Sequence, residues 1–275
     1  MFDRILAEKA NPQADVVFGL IDAAMSTLKT EGLFQAHVPT WAEGLPEVYR
    51  DDADNMVYKF WQTPIVLAYN ADVLSAEDAP TSWLDLTSPE FSGKYVVGST
   101  AWQTTKSYLV GILVRFADED GNITDEGWEF MQDFYDNAIV VDGGEAKTAA
   151  YINGDAVIDL NWFGGVGRLA SDVGYTAEIV DTEGGTPFIA EGIAIMAGTD
   201  QLEDSKAFPP CPGSPEFMIA YAEEFGQVPV HPEAIAGSPS EVQANATRVS
   251  PQDIDWDAVA PQIDAWMQRI ELEIK

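Results

Sequence analysis

Short apolar runs recur along this chain, and most give way within a few residues to a stretch with helical spacing, joined to it by a glycine-bearing link. No other feature constrains the fold as strongly, because strands separated by helices pair through crossovers and need cover on both sheet faces. Asp15-Val-Val-Phe18 reads as a buried strand between Asn11-Pro12 and Gly19, followed by a helix over 21–30 that Gly32 ends. Residues 58–70 read as a long strand, and its continuous apolar centre, Ile65-Val-Leu-Ala-Tyr69, suggests burial on both faces. Ser82 suits the N-cap of a short helix, with Asp85 in the capping-box position. Further strands are expected over 94–97, 139–141, 156–160, 177–180 and 191–197, and helices over 104–116, 128–137, 146–153, 215–225 and 256–274. The order argues for parallel sheets with helices on both faces. No low-complexity linker occurs, so a two-lobed chain has to cross between lobes on ordered strands.

Composition excludes several functions. With 46 acidic side chains against 14 basic ones, the formal net charge is -32. Such a surface repels nucleic acid, whose binding depends on Lys and Arg neutralising phosphates, and it repels anionic lipid headgroups. The longest apolar runs are strand-sized, well short of the roughly 18 to 20 residues that span a bilayer. Cys211 is the only cysteine, so no intramolecular disulfide forms, and its place in Phe208-Pro-Pro-Cys-Pro-Gly213 favours an inert thiol. His37 and His231 are too few for a His-rich metal site, and no cofactor is expected. Gly164-Gly-Val-Gly167 lacks the Lys-Ser or Lys-Thr of a phosphate-cradling loop, and no Gly-x-Ser-x-Gly elbow occurs. An enzyme is not expected. The first ten residues have no basic, apolar and small-residue succession of a secretion signal; they read as the last turns of an amphipathic helix with Phe2, Ile5 and Leu6 on one face, so a missing upstream piece is expected.

Polar and aromatic residues gather at strand ends, where open parallel sheets bind ligands and helix N-termini present free N–H groups. Gly19 and Asp22 follow the first strand. Ser99, Thr100, Trp102, Thr104 and Thr105 follow the strand at 94–97. Glu145 follows Gly143-Gly144 after the strand at 139–141, and Asn161, Trp162 and Phe163 follow the strand at 156–160. Trp61, beside Gln62, adds a candidate wall, and Glu191 opens a later strand. Each has a plainer reading, since Ser and Thr cap helices and a Trp such as Trp162 is often core; their joint placement on one edge is what suggests a ligand cleft.

The order of segments resembles family 1 of the extracellular solute-binding proteins of ABC importers. Ala10-Asn-Pro-Gln-Ala-Asp-Val-Val-Phe18 resembles the family's Asn-Pro-x-Ala-Asp-Val-Val strand, and Thr63-Pro-Ile-Val-Leu-Ala-Tyr-Asn70, Ala79-Pro-Thr-Ser-Trp-Leu-Asp-Leu86 and Phe91-Ser-Gly-Lys-Tyr-Val-Val97 follow in the family's order. Tyr151-Ile-Asn-Gly-Asp-Ala-Val157, Glu191-Gly-Ile-Ala-Ile195 and Gly213-Ser-Pro-Glu-Phe217 complete the run. The most similar branch binds ferric iron, thiamine, aminoethylphosphonate and polyamines. This resemblance implies a two-lobed α/β fold of the second periplasmic-binding-protein type, lacking the N-terminal strand–helix–strand unit. One lobe would hold 1–68 with 190–228, the other 69–189 with 229–275 and the closing helices. It also implies a small solute held by hinge closure, ABC permease subunits as partners, a periplasmic or extracellular location, and no enzymatic activity. A sensory receptor on the same scaffold is the alternative. A monomer is expected, since no heptad or exposed apolar stripe appears in the sequence. The ligand stays open at this point. The hydroxyls at 99–105 suit a phosphonate or carboxylate, and Asp22, Trp162 and Glu191 suit an organic cation such as thiamine or a polyamine. Ferric iron lacks the adjacent tyrosines that the branch uses for it. The proline-rich run 206–213 departs from the family, which places an apolar helix there.

Overall fold

Phe2, Ile5 and Leu6 do share a face: α1 (Phe2–Ala7) buries Ile5, and Phe2 and Leu6 pack on the same apolar cluster. The computed structural model describes residues 1–208 and 213–275; Cys211 and the prolines beside it lie outside the described residues. Two units emerge, unit 1 from Met1–Thr63, Ile189–Arg248 and Asp255–Pro261, and unit 2 from Pro64–Phe188, Val249–Ile254 and Gln262–Lys275.

In unit 1 the chain continues through β1 (Val16–Ile21), α2 (Asp22–Thr30) and β2 (Phe34–Gln35). β1 runs past the expected end at Phe18. Gly19 takes a left-handed φ of 86° inside it, and the register against its partner slips between Phe18 and Leu20, the mark of a bulge. β3 (Tyr58–Asn70) matches its expected span, carrying the chain from unit 1 into unit 2.

Unit 2 adds β4 (Val96–Val97), α3 (Gln103–Leu113), α4 (Asp125–Asp136), β5 (Ile139–Val140), α5 (Gly144–Ile152), β6 (Ile158–Trp162), α6 (Phe163–Val173) and β7 (Ala177–Ile179). Ser82 and Asp85 form the expected capping box, on a 3-10 helix rather than an α-helix. Trp83, Tyr95, Tyr108, Phe134, Leu109 and Ile112 are fully buried in this unit. Burying side chains of that size stabilises the fold by roughly 1.5–3 kcal/mol each.

β8 (Phe188–Met196) returns the chain to unit 1, which finishes with α7 (Leu202–Ala207), α8 (Pro215–Phe225), β9 (Val228–Pro229), α9 (Pro232–Gly237) and α10 (Ser240–Asn245). The last helix, α11 (Trp256–Arg269), passes from unit 1 to unit 2 and ends in a π turn, Ile270–Ile274. Residues 229–248, expected with the second lobe, group with unit 1, because α9 packs on α8 and α10 on β9.

Wholly parallel sheets are not what forms. In unit 1, β1 and β2 pair antiparallel with β8, and β9 antiparallel with β3. In unit 2, β4 pairs parallel with β5 and bridges parallel to β6 through Tyr95 and Ile158, but β6 and β7 both meet β3 antiparallel. Alternating strands and helices reveal crossover connections without saying which strand lies beside which. The parallel trio β5-β4-β6 is the part that positions the site.

Candidate functional site

Each strand of the parallel trio leads to a helix at its carboxyl end: α3 after β4, α5 after β5 and α6 after β6. Three helix N-termini therefore reach the same sheet edge. Elsewhere, α4 and α8 are capped by their own side chains, Thr124 accepting from the Gly127 N–H and Ser214 from the Phe217 N–H, while α1, α2, α7 and α10 also start without a side-chain cap. α3, α5 and α6 begin at Trp102, Gly143 and Trp162, and none of these supplies a side-chain cap. Their first-turn N–H groups are left to water or to a ligand, with the positive ends of three helix dipoles behind them.

A cavity of about 320 Å³ opens at these N-termini and lies wholly within unit 2. Trp102, Thr104 and Thr105 line it from α3, Lys147 and Thr148 from α5, and Asn161, Trp162 and Arg168 from β6 and α6. The backbone approaches closely where glycine permits. A Cβ on Gly165 would lie 2.5 Å from Asn161 Oδ1 and 2.6 Å from Trp162 Nε1. One added methyl group there must push both side chains from their places.

Below the cavity sits a buried ion pair. Lys147 Nζ lies 2.9 Å from Asp159 Oδ1 and donates to the Leu160 carbonyl at 3.2 Å. Asp159 is 1% exposed and also accepts from Asn161 Nδ2 at 3.1 Å, while the Tyr151 hydroxyl, 3.4 Å from it, donates its proton to the Ile158 carbonyl at 2.7 Å. Asn161 Oδ1 in turn accepts from the Trp162 N–H at 3.0 Å, which fixes the amide beside the cavity. Arg168 makes no hydrogen bond or ion pair among the described residues, and neither does the Thr104 hydroxyl. In a chain with 14 basic side chains, two of them line this one cavity, one held and one free. Asp172 is the acidic member of the lining and is exposed.

Of the expected residues, Trp102, Thr104, Thr105, Asn161 and Trp162 meet here. Ser99 lies near them but turns its hydroxyl back to accept from the Ala101 N–H. Thr100 is buried and donates to Glu271 Oε1 at 2.6 Å, so its hydroxyl is committed to the C-terminal segment. Glu145 is exposed and outside the lining, and Phe163 packs instead on a cluster with Val66, Ala68 and Val166. The sequence reading missed Lys147, Thr148 and Arg168. Their signal was available: Lys147 and Arg168 each stand one turn into a helix that opens at a strand end.

The other expected residues belong to unit 1. Trp61 lies inside β3; it is 7% exposed, stacked on Tyr221 at 4.2 Å and edge-on to Phe60 at 4.1 Å. Gly19 is the bulge of β1. Asp22 starts α2, ion-paired with Lys59 and accepting the Ala190 N–H. Glu191 faces Ile21 in the β1–β8 register, and burial, reinforced by the nearby Asp22 charge, pushes its carboxyl up to about 8. Tyr49, which donates to Gln62 Oε1, is pushed up to about 12 by burial and by Asp22.

An open cavity where uncapped helix N-termini converge at the carboxyl edge of parallel strands is the architecture of a small-solute binding protein. Comparison with known proteins agrees. The family model of the bacterial extracellular solute-binding proteins matches residues 1–249, and the chain belongs to that family. The family captures solutes for ABC transporters and is not one of enzymes. A probable ABC transporter periplasmic-binding protein of Sinorhizobium fredii is 56% identical over 275 residues, covering 100% of this chain and 76% of the relative. Among solved structures, the ferric binding protein of Campylobacter jejuni superposes with a TM-score of 0.81 at 20% identity, over 99% of this chain and 87% of that one. The periplasmic binding protein AfuA of Actinobacillus pleuropneumoniae, solved with exogenous fructose-6-phosphate, gives 0.77 at 20% identity, over 98% and 87%. These likenesses establish the periplasmic-binding-protein fold that the segment order implied.

Proposed function

We propose that this chain is the capture component of an ABC importer, and that it holds the anionic group of a small polar solute in the unit 2 cavity. One observation carries the reading: three uncapped helix N-termini and the unpaired Arg168 open on the same cavity in a chain of net charge -32. Thr104 offers a free hydroxyl and Trp162 an aromatic wall. A phosphonate or carboxylate satisfies those donors; thiamine, a polyamine or ferric iron would leave them facing a cation. The solute-loaded protein then delivers its cargo to permease subunits outside the cytoplasmic membrane. Among the described residues no helix is long and apolar enough to cross that membrane. The protein works as a monomer.

The test is a thermal-shift screen of phosphate, methylphosphonate, acetate, thiamine, putrescine and ferric salts, followed by calorimetry. A ligand that binds only the folded form raises its apparent stability. Small oxyanions are expected to bind, and Arg168→Ala to weaken them about tenfold or more, the worth of one charge-assisted hydrogen bond. Trp162→Ala should also lose binding while leaving the fold intact. Equal oxyanion affinity in wild type and Arg168→Ala removes the cavity from the proposal.

A further inference from the structure

The charged side chains around the unit 2 cavity balance. Lys147, Arg168 and Asp172 line it, and Asp159 lies directly behind Lys147. Two cations therefore stand against two carboxylates, and what is left for an incoming anion is the helix N-termini, roughly half a positive charge each. Asp159 decides this balance. Its carboxylate is 1% exposed, so water does not compete for it, and it takes Lys147 Nζ at 2.9 Å. The Leu160 carbonyl holds the same ammonium at 3.2 Å, and the Lys147 side chain is only 16% exposed. The other oxygen of Asp159 takes Asn161 Nδ2 at 3.1 Å, so the amide bordering the cavity is held by the same carboxylate. Among the described residues, Arg168 is then the one cation of the lining free to turn to a ligand.

A second negative charge on the solute calls for a second free cation. Lys147 is the candidate, but to reach a ligand it must leave a carboxylate that has no other ion-pair partner among the described residues and no route to water. Leaving a buried charge unpaired is strongly unfavourable, so the pair stays closed when a ligand enters. We propose that Asp159 sets the charge specificity of the cavity through Lys147: by holding the ammonium, it restricts the site to anionic groups that carry a single negative charge. Asp159 touches no ligand; it is a positioning residue. A carboxylate fits, as does a phosphonate that keeps one proton, and a doubly ionised group does not. This rests on the reading of the unit 2 cavity as an anion site and adds how many charges that site accepts. Asparagine at position 159 frees the ammonium and leaves the surroundings of the cavity net positive. A dianion gains twice as much from that added charge as a monoanion does.

The test uses the full chain and two tetrahedral anions of similar size, methanesulfonate with a single negative charge and sulfate with a double one. Calorimetry near neutral pH measures both at constant physiological ionic strength, where surface acids more than about 8 Å away are largely screened. The wild type should bind methanesulfonate more tightly than sulfate, and Arg168→Ala should weaken both. Asp159→Asn should move the affinity ratio toward sulfate by about tenfold or more. Combining it with Lys147→Met removes both charges and should return the ratio to its wild-type value. Altered packing alone does not move this ratio, because the two ions have nearly the same shape. Tighter sulfate binding by the wild type overturns the inference without any variant having to fold. An unmoved ratio in Asp159→Asn overturns it too, as does a double variant that keeps the ratio of Asp159→Asn. If neither ion binds the wild type, or if both bind Arg168→Ala undiminished, the anion reading of the cavity fails and the charge rule with it. Ions that bind through Arg168 in the wrong ratio refute the charge rule alone.

Discussion

Glu191→Gln should make the folded protein more stable at about pH 9, by about 3–5 kcal/mol, and change little near pH 5. The sign follows from which state holds the proton. The ordinary value for the group is 4.5, and in the folded chain it is pushed up to about 8 by burial and then by Asp22. Between those two values the unfolded chain is ionised while the folded one keeps its proton, so wild-type stability falls as pH rises through this window. The loss is complete once pH passes the folded value. Glutamine fills the same space and cannot ionise, so the variant escapes the penalty and relieves the like-charge pressure on Asp22. The remaining acidic residues titrate in both proteins and cancel in the difference. Urea unfolding of both proteins across this pH range, with matching denaturant slopes, measures it directly. A difference that stays flat with pH would show that the carboxyl is ordinary.

How far the sequence carried depended on whether a segment's own chemistry decided its structure. β3 was legible to the residue, because Tyr58–Asn70 is apolar over most of its length and is buried on both faces. The Ser82–Asp85 box was legible because two side chains capping two backbone donors is a local event. α6 was not. No helix was expected over it, since Gly164, Gly165 and Gly167 stand in its first turns and glycine disfavours helix. The structure shows why glycine is tolerated there: at Gly164 and Gly165 a side chain would run into Trp162 and Asn161, so helix propensity gives way to close packing at the site. Strand pairing was illegible for another reason, since the partners of β8 and β3 are set by contacts far apart in the chain. The same division runs through the candidate residues. Those at helix starts after β4 and β6 could be picked out because strand ends are visible in sequence, and five of them line the unit 2 cavity. The partner of Thr100, Glu271, could not be foreseen because it lies 171 residues away. That Lys147 and Arg168 line one cavity depends on three helices starting at one sheet edge, which no local stretch of sequence reveals.

Lys147→Met should destabilise the protein by about 3–5 kcal/mol, the usual loss when one member of a buried ion pair is removed. Its partner cannot escape to water: Asp159 is 1% exposed, and the Lys147 side chain that neutralises it is 16% exposed. After the substitution the carboxylate keeps Asn161 Nδ2 at 3.1 Å, a partial hydrogen-bond shell with no cation in it. Methionine preserves most of the apolar stem, so lost packing contributes little and the unpaired charge dominates. Asp159→Asn alone should be milder, because the ammonium it frees lines an open cavity and can reach solvent. The double substitution should recover most of the stability lost in Lys147→Met, since nothing charged is then left below the cavity. Urea unfolding of the four proteins closes the cycle, and the coupling should amount to about 2 kcal/mol or more. Additive losses would mean that Asp159 is held by its hydrogen bonds alone. In that case Lys147 would be available to a ligand as fully as Arg168, and its removal should then weaken oxyanion binding with little effect on the fold.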